Sequence, residues 1–238
     1  MCGRFALLTH AETLIQRFGV EKVIKRPEPR YNIAPSQNVT VVVQRENFQL
    51  TEMRWGLVPF WAKDVSIGNR MINTRGETLA EKPAFRSAFK KHRCLVLADG
   101  FYEWQKVGKI KVPTHIRMKN REPFAFAGLY EYWKTKSGQM LESCTIITTT
   151  PNELMKPIHH RMPVILSPED EKKWLNPENQ DMEQLLSLLK PYNPELMEAY
   201  EVSDFVNSPA NQGPLCTQPV GTILLDFTEE PSEQSSNV

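Results

Sequence analysis

The second residue of the chain, Cys2, has the potential for chemistry that an internal cysteine lacks. Removal of Met1 is favoured when the next side chain is small. It would leave an α-amine with a pKa of about 7.7–8.0 beside a thiol with a pKa of about 8.5. An aldehyde condenses with such an amine to a Schiff base, and the thiol then closes a five-membered ring at low entropic cost. Taken alone, a cysteine at position 2 is more often an ordinary residue.

Two internal segments carry groups that could transfer protons. Glu103 lies in the aromatic segment 100–104, where desolvation would raise the pKa of its carboxyl group. The alternative is a strand residue that faces the solvent. His159 and His160 lead from a proline-bounded loop into an apolar strand, and an imidazole donates or accepts a proton near neutral pH. Arg161 follows them and could clamp a phosphate.

Two further segments contain side chains suited to an unpaired nucleic acid strand. Asn73 and Arg75 place an amide and a guanidinium close together, ahead of a short helix. Trp55 and Trp61 lie with Lys63 in a loop that contains glycine and proline. Exposed aromatic rings beside cations form a platform on which bases stack. The alternative is that both tryptophans belong to the core.

The charges are distributed unevenly along the chain. Of 238 residues, 40% are hydrophobic and 24% are charged, and the net charge is +1. Residues 1–120 hold 21 Lys and Arg against 10 Asp and Glu, a net of +11, whereas residues 121–238 hold 8 against 18, a net of −10. The basic half suggests a surface for a polyanion. The alternative is that the two halves pack together and neutralise each other.

Cysteine usage and hydropathy indicate the compartment. No Cys-x-x-Cys pair is present, and Cys94 and Cys144 lie in apolar segments that are typical of buried strands. No apolar run reaches the length of a membrane helix, and the N-terminus lacks the apolar stretch of a secretory signal. We therefore expect a cytoplasmic protein without membrane association, metal or cofactor.

The secondary-structure pattern predicts one α+β domain. A capping box from Thr9 to Glu12 predicts a helix that ends at Gly19. A second helix should begin at Ser167, where a proline follows the cap, and a third should cover 181–190. The composition of segment 228–238 predicts disorder. The strands predict a curved, mostly antiparallel, barrel-like sheet with a few peripheral helices; they lie at 39–43, 48–53, 94–98, 101–106, 110–118, 123–128, 143–149 and 162–166.

Six motifs occur in the order typical of one family, and together they are highly specific. The sequence resembles the SRAP proteins (SOS response-associated peptidases, understood as abasic-site processing proteins) over residues 2–227. The motifs are Cys2-Gly3-Arg4-Phe5, Tyr31-Asn32-Ile33-Ala34-Pro35, Trp55-Gly56-Leu57-Val58-Pro59 with Trp61-Ala62-Lys63, Asn73-Thr74-Arg75, Gly100-Phe101-Tyr102-Glu103-Trp104 and His159-His160-Arg161-Met162-Pro163.

The resemblance implies an enzyme of the DNA damage response that holds abasic single-stranded DNA in a basic channel. It implies a thiazolidine crosslink that shields the lesion, with lyase-type chemistry and an autocatalytic peptidase activity that removes a leader before the cysteine. We expect a monomer that associates with the nucleoid when it binds DNA. The resemblance also implies a role for each site residue: Cys2 is the nucleophile, Asn73 positions it, and Glu103 acts as acid and base. His159, with His160 as its rival, opens the sugar and reverses the adduct. The implied DNA contacts are Arg4, Arg75, Arg161, Trp55 and Trp61.

Two alternatives remain from the residues alone. Cys2, His159 and either Asn73 or Glu103 could form a thiol peptidase, which needs a thiolate but no free amine. A binder of single strands could instead use only the basic, aromatic surface, without any reaction at Cys2. A blocked N-terminus would separate the crosslinking enzyme from the peptidase, and substitution of Cys2 would separate it from the binder.

Overall fold

A computed structural model describes residues 2–221, and the predicted disorder of 228–238 lies outside the described residues. The described part contains four α-helices and fourteen strands. The helices are α1 (Ala11–Phe18), α2 (Arg86–Lys91), α3 (Pro168–Leu175) and α4 (Met182–Ser187). The strands are β1 (Phe5–Leu7), β2 (Lys22–Val23), β3 (Arg30–Ile33), β4 (Asn38–Gln44), β5 (Phe48–Trp55), β6 (Asn73–Arg75), β7 (Arg93–Ala98), β8 (Gly100–Val107), β9 (Ile110–Met118), β10 (Phe124–Lys134), β11 (Met140–Thr149), β12 (Met162–Pro163), β13 (Ile165–Leu166) and β14 (Met197–Glu201).

Five strands close into a barrel. The antiparallel neighbours β5, β4, β7, β10 and β11 follow one another around the sheet. The parallel pairing of β11 with β5, with Ser143 opposite Arg54 and Cys144 opposite Trp55, completes the ring. The short strand β6 adds to β11 in parallel. These pairings confirm the predicted α+β fold with a barrel-like, mostly antiparallel sheet, because only the closing and peripheral pairs are parallel.

A second sheet, in the order β14-β9-β8-β1-β3, covers the barrel. Phe5 in β1 packs edge-on against Trp55 at 5.1 Å and against Phe126 at 5.8 Å between ring centroids. Because side chains alternate across a strand, the neighbouring Ala6 and Tyr102 face the other way, into a small separate core. This alternation lets β1 and β8 place some of their side chains between the sheet and the barrel.

Three of the four helices follow the predicted signals, apart from the first cap, and α2 was not predicted. Helix α1 ends at Gly19, which adopts the left-handed conformation with φ 62°, as predicted. Its N-cap is His10 rather than Thr9, so the predicted capping box is wrong. The physical reason is a stronger partner, because the carboxylate of Asp99 accepts hydrogen bonds from the hydroxyl and the amide of Thr9 at 2.7 and 2.8 Å.

The later elements match the predictions with small changes. Ser167 caps α3 through its side chain, and a proline occupies the first turn. Helix α4 is shorter than the predicted 181–190 and is capped by Asp181. The predicted strand at 162–166 is divided into β12, which pairs with β11, and β13, which pairs with β10. Among residues 2–221, no helix is long and apolar enough to cross a membrane.

Candidate active site

Cys2 lies just before β1, beside the strand that carries Glu103. Strand β1 pairs with β8, with Phe5 opposite Phe101, and the Tyr102 amide donates to the Arg4 carbonyl at 2.9 Å. The Cys2 side chain is fully buried, and its thiol lies 3.9 Å from the Arg4 carbonyl oxygen. Burial raises the pKa of the Cys2 thiol well above its ordinary value, and the nearby Glu103 carboxylate raises it further. The thiol is therefore protonated near neutral pH.

Asn73 fixes the backbone of Cys2. Its side-chain amide nitrogen donates to the Cys2 carbonyl oxygen at 2.7 Å. Strand β6 holds Asn73 in place by parallel pairing with β11, and the Thr148 hydroxyl donates to the Thr74 carbonyl at 3.1 Å. The Asn73 side-chain oxygen is buried and has no hydrogen-bond partner within residues 2–221. It is therefore an acceptor available to a hydroxyl group that enters beside Cys2.

Glu103 is a buried carboxyl group next to the Cys2 thiol. Only 4% of the residue is exposed, which contradicts the alternative of a solvent-facing strand residue. Burial raises the pKa of Glu103 above its ordinary value, as its aromatic neighbours predicted. Its influence on the thiol of Cys2 places the two groups within electrostatic range. A carboxyl group with a raised pKa near a nucleophile is typical of general acid–base catalysis.

The two histidines differ in how firmly they are held. The Nδ1 atom of His159 accepts a hydrogen bond from the Arg161 amide at 3.0 Å. The same Nδ1 atom lies 3.1 Å from the Arg161 carbonyl oxygen, so the backbone of Arg161 offers it a donor and an acceptor and holds the ring in either tautomer. His160 is exposed and stacks on His159 with 4.3 Å between ring centroids. Burial lowers the pKa of His159, and its neighbour His159 lowers the pKa of His160. The fixed ring is that of His159.

The guanidinium of Arg161 is bound within the protein, and its predicted contact with DNA stays a prediction. It pairs bidentately with Glu77 at 2.6 and 2.8 Å and donates to the Thr148 carbonyl at 2.7 Å. The pair ties the loop of His159 to the end of β6. Sequence analysis missed Glu77, and no local signal could have identified it because the partners lie 84 positions apart.

Arg4 is likewise engaged within the protein. Its guanidinium donates to the Asn32 side-chain oxygen at 2.7 Å and to the Val206 carbonyl at 2.9 Å, and it lies 5.6 Å from the Trp104 ring centroid. Asn32 in turn donates to three backbone carbonyls of the segment 206–211. The predicted DNA contact through Arg4 is therefore replaced here by an internal connection. Asn32 was quoted in a motif but given no role.

The two tryptophans have different environments. Trp55 is fully buried, and its indole nitrogen donates to the Ile72 carbonyl at 2.8 Å, so the prediction that a base stacks on it is wrong. Trp55 is the last residue of β5, and its ring packs against Phe5. Trp61 is 50% exposed, beside Phe60 at 63%. Arg75 is exposed as well. The predicted DNA contacts that remain accessible are Trp61 and Arg75.

The other cysteines and the acidic side chains form no further centre within the described range. Cys94 and Cys144 are fully buried, and burial raises the pKa of both thiols, which confirms their assignment to the core. No group of three His, Cys, Asp or Glu side chains within residues 2–221 has the geometry to hold a metal ion.

The class of this protein follows from four side chains on a five-stranded barrel. They are Cys2 before β1, the buried Glu103, Asn73 on the Cys2 carbonyl, and His159, whose ring is fixed by the Arg161 backbone. The family model described as "SOS response associated peptidase (SRAP)" matches residues 1–209. The chain belongs to the SRAP family.

Relatives and solved structures agree with this assignment. The chain is 52% identical over 218 residues to the abasic site processing protein YoqW of Bacillus subtilis (strain 168), with 90% of this chain and 97% of that protein covered. It is 32% identical to the abasic site processing protein HMCES of Gallus gallus, covering 82% of this chain and 67% of the relative. A crystal structure of a protein from Bacteroides thetaiotaomicron superposes with a TM-score of 0.82 at 32% identity, covering 92% of this chain and 99% of the other.

Proposed function

We propose that this protein processes abasic sites in single-stranded DNA by forming a thiazolidine between Cys2 and the open-ring aldehyde of the lesion, after removal of Met1. The lesion is thereby shielded in the DNA damage response. Two relatives of high coverage carry the name abasic site processing protein, which supports the substrate class. Removal of Met1 is the only peptide cleavage that the proposal requires.

The observation that carries the proposal is the arrangement around the backbone of Cys2. Asn73 holds the Cys2 carbonyl at 2.7 Å, which orients the adjoining amine, while its free oxygen can accept a hydroxyl of the sugar. Glu103 lies within electrostatic range of the thiol on the neighbouring strand. A nucleophile whose backbone carbonyl is fixed by the site suits chemistry that begins at the α-amine.

The reaction balances without an external oxidant or reductant. The neutral amine of Cys2 attacks the aldehyde carbon, and the hydroxyl of the resulting carbinolamine leaves as water after it receives a proton. Glu103, with its raised pKa, is suited to donate that proton. The thiol then adds to the carbon of the iminium, so that one carbon–sulfur bond forms, the C=N π electrons become the nitrogen lone pair, and the thiol proton returns to Glu103. The net change is the loss of one water molecule.

His159 is the second proton carrier in the proposal. Its ring is held through Nδ1 by the backbone of Arg161, and the neutral imidazole can accept the proton of the anomeric hydroxyl and return it to the sugar ring oxygen as the ring opens. The lowered pKa of His159 keeps the ring neutral at the pH where the amine is reactive. Arg75 and Trp61 remain for contact with phosphates and bases.

The thiol peptidase is less well supported. A thiol protease needs a thiolate, and catalytic cysteines lower their pKa through a nearby cation. Here burial and the Glu103 carboxylate raise the pKa of Cys2, and together they outweigh the positive amino terminus, which lowers it. A protonated thiol that adds to an already formed iminium avoids this difficulty.

A denaturing gel tests the proposal. Purified protein mixed with a uracil-containing single strand treated with uracil glycosylase should give a band that resists denaturation. Mass spectrometry should place the DNA on a peptide that begins at Cys2. An adduct on Cys94, Cys144 or a lysine would refute the proposal.

Two variants separate the proposal from its alternatives. Cys2→Ala should abolish the stable product, because an amine alone gives a reversible imine. A protein that retains a blocked amino terminus should also give no product, although it would remain active as a thiol peptidase. Cys144→Ala is a suitable control, since it removes a thiol that lies in the core. Unchanged behaviour of Cys2→Ala would support the non-catalytic binder.

A further inference from the structure

The hairpin formed by β8 and β9 ends in an unusual combination of side chains. Lys106 lies directly opposite Lys111, and Val107 lies opposite Ile110. Like charges at opposed positions of an antiparallel pair destabilise it. Lys109 adds a third positive charge in the turn, and no acidic residue occurs between positions 106 and 111. The sequence at this tip therefore does not favour the isolated hairpin.

The apolar pair at the tip is exposed. Val107 is 50% and Ile110 is 63% exposed, and neither belongs to a core cluster of the described residues. None of the three lysines forms an ion pair within 4.0 Å in the part of the chain that the structure describes. Lys111, Glu201 and Asp204 line one adjoining cavity, but the two carboxyl groups lie more than 4.0 Å from the Lys111 ammonium group.

The hairpin is a continuation of the active-site strand. Side chains alternate along β8, so Val107 lies on the same face as Glu103 and Gln105. The Gln105 side chain donates to the Pro157 carbonyl at 3.2 Å, in the loop that leads to His159. At about 3.3 Å per residue, the tip lies roughly 13 Å beyond Glu103 along the strand. A nucleic acid strand bound at Cys2 and Glu103 can reach this distance within a few nucleotides.

We infer that the β8–β9 hairpin tip is a second DNA contact for a strand that passes around it: Val107 and Ile110 lie against the sugars or bases on the active-site face, while Lys109 in the turn and Lys106 and Lys111, which project from the other face, bind backbone phosphates. It lengthens the footprint on one side of the lesion only. The inference rests on the proposed function in one respect, because Cys2 and Glu103 define where the lesion lies. A partner that neutralises the opposed lysines also explains why the unfavourable pair is present.

The test measures binding as a function of salt. The probe is a single-stranded oligonucleotide with a central tetrahydrofuran in place of the abasic sugar, which has no aldehyde and forms no crosslink. In the triple variant Lys106→Gln, Lys109→Gln, Lys111→Gln, the slope of log K against log salt should fall by about 2, since each lost single-strand phosphate contact removes about 0.7. Lys119→Gln, at the opposite end of β9, is the matched control and should leave the slope unchanged.

Shortened probes test the position of the contact. Removing the arm on one side of the lesion should abolish the difference between wild type and the triple variant, whereas removing the other arm should preserve it. Val107→Ser with Ile110→Ser should weaken binding to the long probe without altering the salt slope. Far-ultraviolet circular dichroism and thermal unfolding establish that each variant is folded before binding is compared.

Three outcomes distinguish the two proposals. If the triple variant retains the wild-type salt slope, or changes no more than Lys119→Gln, the hairpin is not a DNA contact. If it loses the slope but wild type forms no crosslink with an abasic strand, the hairpin contact stands and the proposed chemistry fails. The expected result is a reduced slope for the triple variant and a wild-type slope for Lys119→Gln.

Discussion

Glu103→Gln should slow crosslinking while it stabilises the folded protein. The substitution keeps the size of the side chain but removes its ability to exchange a proton. Loss of a general acid typically costs about 10²–10⁴-fold in rate. We expect a decrease in that range for crosslink formation at saturating abasic DNA. Binding to a tetrahydrofuran-containing strand should remain close to that of wild type, because the carboxyl group is buried.

The effect on stability follows from the direction of the pKa shift. The folded protein holds the pKa of Glu103 above the ordinary 4.5, so the folded state binds this proton more tightly than the unfolded chain. The free energy of unfolding is therefore unaffected below the unfolded-state pKa and falls as the pH rises through the interval up to the folded-state pKa. Each unit by which the pKa is raised corresponds to about 1.4 kcal/mol of lost stability at neutral pH. A glutamine avoids this cost.

Urea unfolding at a series of pH values from 4 to 8, combined with single-turnover crosslinking, checks both effects. The variant and wild type should have similar stabilities at the acidic end, and the variant should become the more stable protein towards neutral pH. Wild-type crosslinking rates in Glu103→Gln would refute the catalytic assignment. A variant that is less stable than wild type at neutral pH would refute the argument from desolvation.

Three further predictions concern the DNA surface and the histidines. Trp61→Ala should weaken single-strand binding by roughly 1–3 kcal/mol in a fluorescence titration if a base stacks on the exposed ring. Arg75→Ala should reduce the salt slope of single-strand binding by about 0.7, the value for one phosphate contact, without a preference for sequence. His159→Ala should slow sugar ring opening and exchange of the adduct onto a second abasic strand, whereas His160→Ala should resemble wild type; the reverse result would reassign the role to His160.

The strands and the family motifs could be predicted because they depend on local patterns. The β-branched and apolar residues of 39–43 and 48–53, on either side of a short polar turn, predict two paired strands, and β4 pairs with β5. Likewise, the buried environment of Glu103 followed from its aromatic neighbours in the same strand. The parallel pairing of β11 with β5, which closes the barrel, could not be predicted, since it joins strands that no turn connects.

Predictions about surface contacts were less successful because residue type does not determine burial. Trp55 and Trp61 occur in one loop-like segment, yet Trp55 terminates β5 and packs against Phe5, while Trp61 reaches the solvent. Arg4 and Arg161 were interpreted as phosphate ligands, but each has an internal acceptor from a distant part of the chain. A guanidinium suits a carboxylate and a phosphate equally well, so sequence alone leaves the partner open.

The raised pKa of the Cys2 thiol and the order of the proposed reaction support each other. A thiolate is the form that reacts with oxidants and alkylating agents, whereas a protonated thiol reacts slowly. Burial keeps the Cys2 thiol protonated, so the α-amine is the stronger nucleophile when an aldehyde arrives. Once the iminium has formed, its carbon is electrophilic enough for the adjacent thiol to add as Glu103 takes up the departing proton. In the proposed reaction, the same burial that would impair a thiol peptidase favours carbonyl substrates for Cys2, and Glu103 is the proton donor in the first step and the acceptor in the second.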